Sequence, residues 1–235
     1  MKFFSFLRLT LLLSAAAPLF AEDVKFTAVS LGDSLPDIEY KTGTKTEKFT
    51  IPSFSRSELK TYSGKALLDF YITVEKNGKK ETIRFAEVTL PEKTSQLLLV
   101  FSPQSDGTAK VQALDDTQEA MPRGSTRFYN ATALTIAIKY NADTMVLPPY
   151  QQKIVSAPPP QVVLQVAYQQ QGRWLRGCGN VVATDNDMRQ TIFIVASESD
   201  IFKVQTPGGR VVLSPLQSFT LPDLMEAESA IPGRN

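Results

Sequence analysis

The chain has 235 residues, 43% of them hydrophobic, with 25 Lys+Arg against 24 Asp+Glu, one Cys and no His. Without His there is no Ser-His-Asp or Cys-His catalysis and no imidazole metal ligand, and one Cys builds neither an intrachain disulfide nor a Cys-based zinc site. The near-neutral balance gives no electrostatic case for nucleic acid, and the composition is that of a globular protein rather than a disordered or fibrous one.

Met1 to Ala21 reads as a secretory signal peptide. Lys2 and Arg8 supply the positive start, Leu9 to Phe20 the apolar stretch, and Ala21 the small residue before the cut. The stretch is short of the ~20 apolar residues of a spanning helix. Removing Lys2 and Arg8 leaves 23 basic and 24 acidic residues, a net charge of −1. The expectation is a periplasmic or secreted protein with no transmembrane segment in its mature chain. With no disulfide framework, it needs a hydrophobic core of its own.

The rest reads as strands: short runs rich in β-branched and aromatic residues, bounded by Gly, Pro, Asn and Asp. The first three are expected at Val24–Leu31, Ile38–Lys41 and Lys48–Ile51. Leu68, Phe70, Ile72 and Val74 then alternate with Asp69, Tyr71 and Thr73, the period of a half-buried strand. Asn77-Gly78 is a strong hairpin signal, since both turn positions tolerate positive φ. The return strand, Ile83 through Leu90, slips in phase between Phe85 and Val88, which predicts a bulge or bend. Leu97–Phe101 and Ile192–Val195 are apolar throughout, as central strands buried on both faces are. Further strands are expected at Lys110–Leu114, Arg127–Asn130, Leu134–Tyr140, Thr144–Leu147, Val162–Tyr168 and Arg210–Leu213. Only Leu221–Ala230 hints at a helix, and Pro222 and Pro232 work against it.

An internal repeat emerges at an offset of 94. Gln96-Leu-Leu-Leu-Val-Phe-Ser resembles Gln190-Thr-Ile-Phe-Ile-Val-Ala, and Gly78 falls on Gly172, Val88 on Val182. Leu68, Phe70, Ile72 and Val74 meet Val162, Leu164, Val166 and Tyr168 in the same phase. With one residue deleted, Lys110-Val111-Gln112 meets Lys203-Val204-Gln205. Ile51-Pro52-Ser53-Phe54 resembles Leu147-Pro148-Pro149-Tyr150 at offset 96. The reading is all-β: two tandem immunoglobulin-like β-sandwich domains of about seven strands each. The boundaries are 1–21 for the signal peptide, 22–118 and 119–220 for the two units, and 221–235 for a flexible tail, with Asp115 to Pro122 as a solvated linker.

Chemistry is harder to find. Cys178 lies between Gly177 and Gly179 near two arginines, but no His can activate it, so it reads as a packed small residue. Asp185-Asn186-Asp187 has the oxygen spacing of a calcium loop without its remaining ligands, so it reads as a turn. Asn130-Ala131-Thr132 is a glycosylation sequon, relevant only in a eukaryotic secretory route. No Walker, dinucleotide-binding or nucleophile-elbow pattern is present, and no catalytic, metal or cofactor-binding residue is nominated. The candidate partner-binding residues are Arg173, Trp174 and Arg176, which hold the only Trp and two residue types common in binding hot spots.

In outline, an exported chain of two sandwich units resembles the periplasmic chaperones of pilus assembly, which also pair two immunoglobulin-like domains. Their basic cleft pair has no counterpart placed here. The signal peptide, Leu-rich central strand and turn pattern are similar to those of uncharacterised exported bacterial β-sandwich envelope proteins. The expected function is non-enzymatic: a binding or structural envelope protein whose partner is a protein or envelope component. The alternatives are a periplasmic assembly factor that uses an edge strand, and a glycan hydrolase built on two carboxylates.

Overall fold

The computed structural model describes residues 23–156, 160–197, 203–205, 211–213 and 215–223. The expected signal peptide, the Pro158-Pro159 run and residues 224–235 lie outside them. Every regular element among the described residues is a strand. In chain order the first eight are β1 (Val24–Ser30), β2 (Leu35–Thr42), β3 (Lys45–Ile51), β4 (Lys60–Tyr62), β5 (Leu67–Lys76), β6 (Lys79–Thr89), β7 (Gln96–Pro103) and β8 (Ala109–Asp115). The next eight are β9 (Ser125–Asn130), β10 (Ile136–Tyr140), β11 (Asp143–Leu147), β12 (Gln152–Ser156), β13 (Gln161–Gln170), β14 (Arg173–Ala183), β15 (Gln190–Ala196) and β16 (Lys203–Gln205). The last two are β17 (Val211–Leu213) and β18 (Leu216–Pro222). No helix among the described residues is long and apolar enough to cross a membrane.

The strands form four four-stranded sheets and one two-stranded ribbon, β16-β17. The first outer sheet is β3-β2-β5-β6 and the first inner sheet β4-β1-β7-β8. The second inner sheet, β12-β9-β15-β18, and second outer sheet, β11-β10-β13-β14, repeat that order element for element. Each inner sheet holds one parallel pair, β1 with β7 and β9 with β15, and the other sheet pairings are antiparallel.

Three apolar cores fix the stacking. Phe26, Leu97, Leu99 and Phe101 of the first inner sheet pack on Tyr40, Phe49, Leu68 and Phe70 of the first outer sheet. Phe128, Ile192 and Ile194 pack on Ile136, Ile138, Leu164 and Val166 in the second pair. Between the inner sheets, Val29, Leu98, Val100 and Leu114 meet Tyr129, Phe193 and Leu221. Successive residues of β7 and β15 therefore serve two different cores, which is why these runs carry no polar alternation.

The 94-residue offset is strict in the outer hairpins. β5 maps onto β13 and β6 onto β14 end for end. Both turns use positive φ, at Asn77 and Gly78 (54° and 74°) and at Gln171 and Gly172 (49° and 76°). The expected bulge is present: the β5–β6 register shifts between Phe70 and Tyr71, and Phe85 and Ala86 are both buried. β13–β14 shifts too, between Gln165 and Ala167.

In the inner sheets the structure corrects the alignment. Offset 94 sets Leu97 against Thr191, yet Leu97 faces the outer core and Thr191 alternates with Ile192 and Ile194 toward the inner seam. Side-chain facing requires an odd offset there, so the matching Gln96 and Gln190 are one residue out of phase. Lys203-Val204-Gln205 is not the counterpart of β8 either. It pairs with β17, and β18 takes the place beside β15. β18 holds Leu221 and Pro222 in strand and Asp223 is buried, so the ordered chain continues past residue 220.

Leu98 is wholly buried at the seam between the inner sheets. Leu98→Ala is expected to lower the unfolding free energy by about 3 kcal/mol, read from urea titration.

Candidate functional site

Two places hold residues whose chemistry exceeds what packing needs: the outer face of the second outer sheet, and the polar end of the inner seam.

On β13, Val162, Leu164 and Val166 face the core, so Val163, Gln165, Ala167 and Gln169 face outward. Cross-strand register sets Gln169 beside Trp174, Ala167 beside Arg176, Gln165 beside Gly179 and Val163 beside Val181. The rows continue across β10 and β11 through Ala137 to Val146 and through Lys139 to Thr144. Ala137, Ala167 and Gly179 share these rows with Lys139, Gln165 and Arg176, between Trp174 on one side and Val163 and Val181 on the other. Trp174 is 47% exposed, and Val146, Val163 and Val181 are exposed as well. The charged residues in these rows are Lys139 and Arg176, both positive.

Of the three residues nominated from sequence, Trp174 and Arg176 share this outer face. Arg173 does not: its neighbour in register is Gln170, on the opposite alternation, at the hairpin end. Val146, Val163 and Val181 were missed, although the offset held the signal. The cross-strand pair Asp69–Glu87 on the first outer sheet becomes Val163–Val181 on the second, and Glu75–Lys80 becomes Gln169–Trp174. The first outer sheet keeps ordinary surface ion pairs, Lys48–Glu39 at 2.9 Å, Arg84–Asp69 at 3.6 Å and Arg84–Glu87 at 2.5 Å.

β14 is also a sheet edge of eleven residues, and at its middle it packs on β18. At Gly177 a Cβ would sit 3.0 Å from Leu216 Cδ1 of β18. Cys178 packs on the second core, and burial pushes its thiol up to about 11, with a smaller opposing effect from Ser218. The cations nearby in sequence do not activate it.

The second place is ionic. Asp116 and Asp223 each stand one residue past the edge strand of an inner sheet, β8 and β18. Arg56 Nη1 donates to Asp116 Oδ2 at 2.8 Å, and Arg127 Nη1 to Asp116 Oδ1 at 3.3 Å. Arg189 Nε donates to Asp223 Oδ2, and Arg56 Nε lies 3.9 Å from Asp223 Oδ1. Arg127 and Asp116 are 0% and 1% exposed. Burial pushes the Arg127 guanidinium toward its neutral form, and the Asp116 charge opposes this. The Asp115-Asp116 connection is therefore not solvated. The Asp115 side chain closes a turn on Thr117, while its carbonyl accepts from Arg127 Nη2. Asp116 and Asp223 are both buried in ion pairs, out of reach of a glycan.

The remaining sequence candidates resolve into structure. Asn130 is 0% exposed, and its Nδ2 donates to the carbonyls of Leu134, Leu147 and Pro148, so the sequon is a buried clamp. Asp187 N donates to Asp185 Oδ1 at 2.9 Å, a turn. Among the described residues no three acidic or sulfur side chains group as a metal site requires.

No protein-family model matches the chain, and no curated protein matches its sequence.

Asp116→Asn leaves Arg127 buried beside a neutral amide and should cost about 3 kcal/mol or more of stability, measured by urea unfolding. Cys178 should resist iodoacetamide at pH 8 in the folded protein and react at the normal rate in denaturant, as mass spectrometry would record.

Proposed function

We propose that this is an exported binding protein of two tandem immunoglobulin-like sandwiches, spanning residues 22–118 and 119–223, of which the second carries the recognition face. The observation behind this reading is the contrast between two outer sheets of one topology. One bears paired charges, the usual dress of a solvated sheet. At the same positions the other bears Val163, Val181 and Trp174. A soluble sheet has no folding reason to expose that surface, since charge on it costs nothing and prevents aggregation. An exposed Trp flanked by Arg and bordered by small residues has the composition of a binding hot spot.

The partner expected here is a protein or envelope component presenting a flat apolar patch with acidic neighbours, matched to Lys139 and Arg176. Recognition on the sheet face is favoured over strand addition because it is the face that departs from the charged pattern of the other outer sheet. The reading is non-enzymatic.

The test is retention of native envelope proteins on the immobilised mature chain. Trp174→Ala should weaken retention of the specific partner by about thirtyfold, the weight of a hot-spot residue, with the melting temperature nearly unchanged. Asp69→Ala on the other outer sheet should leave retention intact. If Trp174→Ala lowers the melting temperature without changing retention, the face is structural and the proposal fails.

A further inference from the structure

We infer that the outer face of the second outer sheet docks on an anionic lipid surface. The inference rests on the reading of that face as the recognition surface and names its partner. The strands of the first outer sheet carry seven acidic and seven basic residues. Those of the second carry Asp143 alone against Lys139, Arg173 and Arg176. Asp143 pairs with Tyr140, which packs against the second core, so it falls on the alternation opposite to the outer face. Among the described residues the rows of this face therefore hold no carboxylate, and their charges have one sign.

The layout of the face fits a bilayer. Taken along the strands, Trp174 stands in the first row, Arg176 in the second, Lys139 in the third, and Val163 with Val181 in the fourth. Exposed apolar side chains thus stand at both ends and the cations between them. Six residues of β13, from Gln169 to Val163, separate the end rows, roughly 20 Å. Laid on a membrane surface, the indole and the valines reach the headgroup boundary together, the level at which Trp is favoured. The guanidinium of Arg176 and the ammonium of Lys139 then meet lipid phosphates.

A protein partner carries charges of both signs, and a face that recognises one usually answers with both. A face of one sign matches a surface of one sign, which is what an anionic leaflet presents. Two cations and a few apolar side chains give reversible attachment rather than an anchor.

Sedimentation of the mature chain with vesicles of phosphatidylglycerol and phosphatidylcholine in equal parts, at low ionic strength, tests this. The chain should pellet with these vesicles and stay in the supernatant with phosphatidylcholine alone, and added salt should release it. Trp174 is the only Trp of the chain, so its fluorescence reports from the face itself, and its emission should move to the blue on binding. Arg176→Gln and Lys139→Gln should each weaken partition by about fivefold, the weight of one cation near an anionic surface, with the melting temperature unchanged. Lys80→Gln, on the first outer sheet, should leave partition at the wild-type level. Failure to pellet with anionic vesicles, pelleting without a change in Trp174 emission, or partition unaltered in both face variants would each overturn the proposal. Retention of an envelope protein through Trp174 without vesicle binding would keep the recognition face and overturn the lipid partner. Loss of both would remove both.

Discussion

The carboxylate of Asp116, held between Arg56 and Arg127 as the two inner sheets close on each other, is the contact on which the arrangement of this molecule turns. Arg56 follows the third strand of the first half, and Arg127 lies on the first strand of the second. Their convergence on one buried carboxylate ties the halves together by charge. The apolar part of the seam, from Val29 and Val100 to Tyr129 and Phe193, supplies area but little direction. Apolar surfaces can slide at modest cost, whereas a desolvated guanidinium displaced from its carboxylate cannot.

Around that point the halves reciprocate. Phe54 and Tyr150 occupy matching positions after the third strand of each half, both with positive φ, and each reaches the last inner strand of the other half. Phe54 packs edge-on against Phe219 of β18, with ring centroids 4.4 Å apart, and Lys110 of β8 lies 3.7 Å above the Tyr150 ring. Asp116 and Asp223 end the two edge strands in the same way. Such reciprocity is that of a two-fold pair, in which one kind of surface meets a copy of itself. It leaves the inner sheets buried on both faces and only the outer sheets free to diverge. There the charged face of one half and the Trp-bearing face of the other part company, on sheets of the same strand order.

Much of the fold was legible along the chain because its signals are local. The alternation of Leu68 to Val74, the Asn77-Gly78 turn and the phase slip at Phe85 each depend on a few neighbouring residues and were met by a strand, a hairpin and a bulge. The doubly apolar Leu97–Phe101 and Ile192–Val195 runs announced central strands for the same reason. Illegible were the strands with weak pattern: β4, β12, β14 and β18, which are edges and take their place from the neighbour they pair with rather than from their own composition. Asp116 looked like a linker residue, because nothing beside it in sequence shows that Arg56 and Arg127 arrive from 60 and 11 residues away. Trp174 and Arg176 were found by type. Their apolar neighbours Val163 and Val181 were not, since an exposed valine in a strand is indistinguishable by letter from a buried one.

The amino-acid sequence alone determined that this chain is built of strands, that its outer hairpins are duplicated at a spacing of 94, and that chemistry depending on histidine or paired cysteines is closed to it. These follow from composition and from period-two patterns that a strand imposes on itself. Tertiary structure decided which face of each inner strand meets which core, that Asp116 is buried rather than solvated, and that Trp174 shares its face with Val163, Val181 and Arg176 but not with Arg173. Each of these depends on register between distant segments. A shift of one residue in register moves every side chain of a strand to the opposite face, and no local pattern records that choice.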